Sequence, residues 1–347
     1  FCTIVFTNLS LLFSIDKKII IISIFYGDYM KKYFYLFFFS FLFLSCTKTN
    51  VDSKDSISIV TTSFPIYDFT RAIVSDVNND YIAENNFTNV DIKLLIKPGM
   101  ESHSFDPSPK DIIDIQNADI FIRMGGESEV WVDKIISTSN KLTKKILTLK
   151  DFVETCTSLT EDEHHNHHEH DEHFWTSSKN AIKMINAILQ SIIELDNEKS
   201  NGKNITTYQE NANSYIKMIE NLSNEIKNTV DNSENKLLIF GDRFPFTYFT
   251  EEYGLNYLAA FDGCSTAVEA KTSKIAELID EAKNSKAKAI FTIEMSNKKI
   301  ANTIAQASNA KVLELHSCQN VSKDDFEQGI TYAYTMKSNL DALKIGL

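Results

Sequence analysis

The chain has 347 residues, 43% of them hydrophobic, enough for a sizeable core and about two domains of ordinary size. A formal net charge of −12 with no basic stripe argues against nucleic acid as a partner. The same acidic balance is compatible with cation capture.

In chain order, residues 1–29 precede the first methionine, Met30, and are expected to stand outside the fold as upstream sequence. Their apolar stretch 19–26 is too short to span a bilayer. From Met30 the chain reads as a secretory signal. Lys31 and Lys32 supply the charge, residues 33–44 the apolar run, and Ser45-Cys46 ends it. A small residue and then Cys after such a run resembles a bacterial lipobox. Residues 30–45 are therefore expected to be a lipoprotein signal peptide and Cys46 the lipidation site. The run falls short of the roughly 20 apolar residues a spanning helix needs. Residues 46–56 are polar and aperiodic and read as a tether.

Residues 57–205 form a first βα-rich half. Strands are expected at 57–61, 90–96 and 119–123, and helices at 65–77, 109–116 and 129–137, an alternation that argues for a mostly parallel sheet. Within residues 206–232, Tyr208, Ala212, Tyr215, Ile219, Leu222 and Ile226 are spaced 4-3-4-3-4, one apolar stripe on an unbroken helix. Some 25 residues at about 1.5 Å each span roughly 37 Å, the length of a strut between two halves. Residues 233–347 resume the alternation. Strands are expected at 236–240, 256–261, 287–293 and 311–315. Helices are expected at 245–253, around Ile275, Leu278, Ile279 and Ala282, at 299–307, and at 324–343 as one closing helix.

The distribution of histidine is the sharpest feature. Of eight, six lie within ten residues: His164, His165, His167, His168, His170 and His173. The others are His103 and His316. Histidine is the commonest metal ligand. The stretch 161–173, interleaved with Glu and Asp, suits weak, fast-exchanging metal recruitment; an inert solvated loop is the plain alternative. His103 sits in a turn-rich loop holding three of the five prolines, after the strand 90–96. His316 follows the strand 311–315, and a third strand is followed by Gly241-Asp242-Arg243-Phe244-Pro245. Ligands commonly bind at such carboxyl ends. Of the five cysteines, Cys264 and Cys318 are candidates for a disulfide in an extracytoplasmic protein.

Pro98-Gly99, Glu101, His103 and Asp106-Pro107-Ser108-Pro109 resemble the first ligand loop of the zinc and manganese solute-binding lipoproteins of ABC importers. Asp171-Glu172-His173-Phe174-Trp175, running on to Asn180-Ala181, resembles the second, after a His-rich loop like that of zinc-type members. The resemblance covers residues 57–347. It implies an α/β fold with two βα lobes on mostly parallel sheets, joined by a long rigid helix, with a metal cleft between them. It makes His103 and His173 metal ligands. Where better-known members carry a third ligand in the second lobe, this chain has Arg243, which cannot ligate a cation. Asp242 is the substitute, with Arg243 expected to pair with Asp242 or Glu294 beside the ligands. His316 stands where many members have Asp and is assigned as a ligand. A nitrogen-rich set favours Zn²⁺ over Mn²⁺. The resemblance further implies a permease and an ATPase as partners, a lipid anchor at the outer face of the cell membrane, a monomer, and no enzymatic activity. A metal buffer or adhesin is the alternative. A zinc hydrolase, with Glu294 or Asp242 as base, is a remoter one, since no His-Glu-x-x-His helix, phosphate loop or nucleophile elbow is present.

Overall fold

In the computed structural model, which describes residues 56–75, 90–138, 145–155, 171–261 and 270–347, the β-branched runs become two sheets of four strands each. The first holds β1 (Ile57–Thr61), β2 (Val90–Leu94), β3 (Ile120–Arg123) and β4 (Lys145–Thr148), in the order β2-β1-β3-β4. The second holds β5 (Leu237–Phe240), β6 (Asn256–Ala259), β7 (Ala289–Thr292) and β8 (Lys311–Glu314), in the matching order β6-β5-β7-β8. Every pairing is parallel. Parallel strands covered on both faces read as near-continuous apolar runs, as in Ala289-Ile290-Phe291-Thr292, where every residue is buried. The fold is thus α/β in two lobes, and all described residues belong to one compact unit, Lys54–Leu347.

Helices fill the crossovers of the first lobe: α1 (Phe64–Val74), α2 (Pro109–Asn117) and α3 (Val130–Thr138). Two long helices follow, α4 (Ser178–Ser200) and α5 (Ile205–Asp231). The second lobe has α6 (Thr247–Tyr253), α7 (Thr272–Asn284), α8 (Lys299–Ser308), α9 (Lys323–Glu327) and α10 (Tyr332–Gly346). The strut is α5, of 27 residues, with Tyr208, Ala212, Tyr215, Ile219 and Ile226 buried along one stripe. It packs on α4, α1 and α10.

Three features depart from the sequence reading. Helix α4 and strand β4 were not anticipated. For α4 the signal was present: Ala181, Ile185, Ile188, Ile192 and Leu195 recur at helical spacing, and Ser177 caps the helix by accepting the Asn180 amide at 3.2 Å. The expected single closing helix is broken into α9 and α10. Gly329 takes a φ of 79°, and its carbonyl and that of Ile330 turn to the buried guanidinium of Arg71. The carboxylate of Asp68 accepts the Tyr332 amide at 2.8 Å, the Tyr215 hydroxyl at 2.5 Å and Arg71 Nε at 2.8 Å. That buried network ties α1, α5 and α10 together, and it supplies the partners a continuous helix would have provided.

The largest buried cluster runs without interruption from Ile57 and Ile59 of β1, through Tyr215 and Ile226 of α5, to Phe240 and Phe291 of the second sheet. The two lobes share this core. Among the described residues no helix is long and apolar enough to cross a membrane. The expected signal peptide, Cys46, nearly all of the tether, the histidines from His164 to His170 and Cys264 lie outside the described residues.

Candidate metal centre

Both sheets point their carboxyl ends at one cleft. From the first lobe comes the loop between β2 and α2 that carries His103. Its far end is pinned by a capping box at the start of α2, in which Asp111 Oδ2 accepts the Ser108 amide at 3.0 Å and Ser108 Oγ accepts the Asp111 amide at 3.3 Å. Its near end is tied to the other lobe. Asn320 Nδ2 donates to the carbonyls of Lys97 and Met100 at 3.1 and 2.6 Å, and the Gly99 amide donates to Val321 O at 2.9 Å.

His103 lines this cleft and meets the buried His173 beside it, their ring centroids 6.0 Å apart. Each ring has a carboxylate behind it. Asp171 Oδ1 lies 2.6 Å from His173 Nδ1, and Glu172 Oε1 lies 3.4 Å from His103 Nδ1. A carboxylate at Nδ1 holds the proton there and leaves the lone pair of Nε2 for an ion. The amide nitrogen of Gln319, from the second lobe, stands 3.4 Å from His103 Nε2, consistent with that tautomer. His173 is 3% exposed, against the ring of Trp175 at 5.1 Å.

The orienting carboxylates are themselves held. Glu172 Oε2 accepts the Ser128 amide and hydroxyl, both at 3.0 Å. Gly126 makes this cradle possible, since a Cβ there would fall 1.9 Å from Glu172 Oε2. Burial pushes the Asp171 carboxyl upward, but the His173 charge and hydrogen bonds from His173 and Thr247 outweigh it, and the net shift is downward. Beside them, burial drives the Glu129 carboxyl up, with the charge of Glu172 adding to the shift.

The second lobe presents a different picture. The Cys318 amide donates to His316 Nδ1 at 2.9 Å, which places the ring proton on Nε2. The imidazole must therefore turn over before Nε2 can bind an ion. Glu294 accepts the Ser317 amide at 2.8 Å and its hydroxyl at 2.5 Å, and lies 3.7 Å from His316 Nδ1. Asp242 accepts the Arg243 amide at 2.9 Å and the Ser296 hydroxyl. The Arg243 side chain was expected on Asp242 or Glu294; its nearest carboxylate is instead Glu101 of the other lobe, 3.6 Å away. The reason is topological: the loop after β5 faces the His103 loop across the cleft, while Glu294 is turned toward Ser317. The cleft encloses about 400 Å³ and is lined by Glu101, His103, Asp242, Arg243, Glu294 and Gln319, among others; of the three candidate histidines, His103 alone lines it. Among the described residues, no three His, Cys, Asp or Glu side chains are gathered closely enough to hold an ion in this arrangement.

Four residues of the site escaped the sequence reading as functional groups: Asp171, Glu172, Trp175 and Gln319. The two acids directly before His173 were the available signal for the first pair. Nothing in the sequence pointed to Gln319, nor to the Trp175 indole, which donates to Ser317 O at 2.8 Å and fastens the His173 turn to the His316 loop.

A family model described as zinc-uptake complex component A, periplasmic, matches residues 59–346. The chain is similar to the high-affinity zinc uptake system protein ZnuA of Bacillus subtilis, with 32% identity over 312 residues, covering 87% of this chain and 92% of that protein. Among solved structures it is similar to the metal-dependent lipoprotein YcdH of Bacillus subtilis, with 29% identity and a TM-score of 0.69, over 84% of this chain and 100% of that one. It is also similar to the Zn(II)-bound ZnuA-like domain of Streptococcus pneumoniae AdcA, with 27% identity and a TM-score of 0.66, over 83% and 98% of the two chains.

Proposed function

Because this chain belongs to the zinc-uptake complex component A family, we propose that it captures zinc outside the cytoplasm and hands it to the permease and ATPase of an ABC importer. The observation that carries the site is the pair of imidazoles, His103 and His173, facing each other at the cleft with a carboxylate behind each. Two oriented neutral nitrogens select zinc over the oxygen-preferring manganese. His316, with its ring turned over, and Asp242 are the second lobe's candidate contributions. Residues 57–205 and 233–347 act as the two lobes and 206–232 as the helix between them. The histidines from His164 to His170 recruit the ion, and a lipid on Cys46 holds the monomeric protein at the membrane.

Substitution of single ligands tests this. H103A and H316A, made separately and titrated with zinc by calorimetry, are each expected to lose more than about tenfold in affinity, the least that loss of a direct ligand removes. Unchanged affinity takes that residue out of the site. Zinc-loaded protein is expected to show no turnover on peptides or esters.

A further inference from the structure

We propose that the cleft accepts zinc as a complex with a small carboxylate-bearing chelator, an amino acid or a hydroxy acid, whose carboxylate pairs with Arg243. This inference rests on the zinc-capture reading and narrows it to the chemical form of the cargo.

Arg243 is the reason. Its guanidinium lines the same cleft as His103 and is 29% exposed. Its one carboxylate partner among the described residues is Glu101, which is 45% exposed and 3.6 Å away, beyond hydrogen-bond distance. A planar fork of five donors matches a carboxylate in two-point fashion, and a single long ion pair leaves that capacity largely unused. A bare dication entering beside a fixed guanidinium is repelled by it. An anion lying between the two charges turns that repulsion into attraction at both ends. The other carboxylates of the cleft do not play this part. Asp242 is engaged by the Arg243 amide and Ser296, and Glu294 by the amide and hydroxyl of Ser317.

Size and coordination agree. A zinc ion with a few waters, at about 30 Å³ each, fills only part of the space, which falls within the usual range of small-molecule pockets. The cleft volume is about 400 Å³. Zinc prefers four donors. His103 and His173 present two nitrogens with their protons held at Nδ1, whereas His316 has its Nδ1 engaged by Cys318. A chelator offering two donors supplies the two positions that the turned-over His316 and Asp242 would fill for the bare ion. The side-chain amides of Asn297 and Gln319 line the same space and can bond the chelator's remaining polar atoms.

The test is native mass spectrometry with calorimetry on the purified protein in three arms: zinc in a non-coordinating buffer, zinc with L-histidine, and zinc with citrate. The expected result is one adduct carrying zinc plus one chelator molecule, bound roughly tenfold or more tighter than zinc alone, the effect of a charge-assisted hydrogen-bonded pair. The histidine and citrate arms separate the amino-acid form from the hydroxy-acid form. R243M should bring the ratio of chelate to bare-zinc affinity to near one. E101Q, which releases the guanidinium from its competitor, should raise that ratio; a misfolded variant could not mimic this opposite sign. Zinc bound without chelator at equal affinity in all three arms, or a ratio unmoved by R243M, overturns the inference while leaving zinc capture intact. No zinc binding in any arm overturns both.

Discussion

Asp171 and Glu172 are neighbours in sequence yet serve two different imidazoles, His173 and His103. Outer carboxylates of this kind usually change metal affinity by about 10- to 100-fold when removed. D171N and E172Q are each expected to lose zinc affinity within that range while keeping the native far-ultraviolet circular dichroism; calorimetry reads the first, and unaltered affinity would deny them an orienting role. G126A provides an independent check, since its methyl group would displace Glu172 and should reproduce the E172Q loss. The capping box of α2 gives a prediction in stability. Burial raises the Asp111 carboxyl, but hydrogen bonds from Ser108 and the charge of Lys93 outweigh it and leave it below its ordinary range. A depressed carboxylate contributes stability above its unfolded pKa and loses it as pH falls through the folded one. D111N should therefore cost about 1 kcal/mol at pH 7, and that cost should shrink progressively as the pH is lowered below the ordinary aspartate range, read from urea midpoints along the series. The isolated histidines were legible in sequence because their rarity and loop positions singled them out. The carboxylates behind them were not, because orientation is a property of three-dimensional approach.

Among the elements, α5 is the one whose packing joins the two lobes. One stripe of it packs on α1 and α10, and Tyr215 bonds Asp68, so elements from both lobes close around a single buried charge pair. Arg71 is 2% exposed and Asp68 fully buried. Removing one partner of such a pair leaves the other charge uncompensated, which typically costs about 3–5 kcal/mol. D68A is expected to lower the urea midpoint by a corresponding amount, far more than Y215F, which deletes one hydrogen bond and leaves the ion pair in place. Equal small effects would mean the network is not what joins these helices. The periodicity of α5 was plain in sequence because an amphipathic stripe needs only local spacing. The break between α9 and α10 was not, since it depends on Arg71, 258 residues away from Gly329.

At the largest scale, the described residues form a pair of similar sheets sharing one core, with the cleft bridged by Trp175 to Ser317, Asn320 to the His103 loop, and Glu101 to Arg243. A shared core and a continuous helix oppose wide hinge opening, so release calls for loop shifts and slight tilts. Recruitment and retention should then be separable. Deletion of residues 161–170, with Asp171 to His173 retained, is expected to abolish weak zinc equivalents and preserve the tight one in a titration followed by metal analysis. Loss of the tight equivalent too would make the His-rich stretch itself the main binder and favour a metal buffer.

The alternation of strands and helices, the strut and the isolated histidines after strands were all decided by local pattern: side-chain period, turn residues and the scarcity of one residue type. That is why the two-lobed α/β architecture could be read from the chain alone, and why the isolated histidines stood out as candidates. Which nitrogen of each imidazole faces the cleft, which carboxylate stands behind it, and where Arg243 directs its charge were decided only by tertiary structure. For His173 and His316 the partner is two residues away, but for His103 and Arg243 those properties depend on contacts between residues far apart in sequence, His103 with Gln319 and Arg243 with Glu101. A tautomer or an ion pair is fixed by the partner that arrives, and the partner arrives only when both sheets have folded onto the common core.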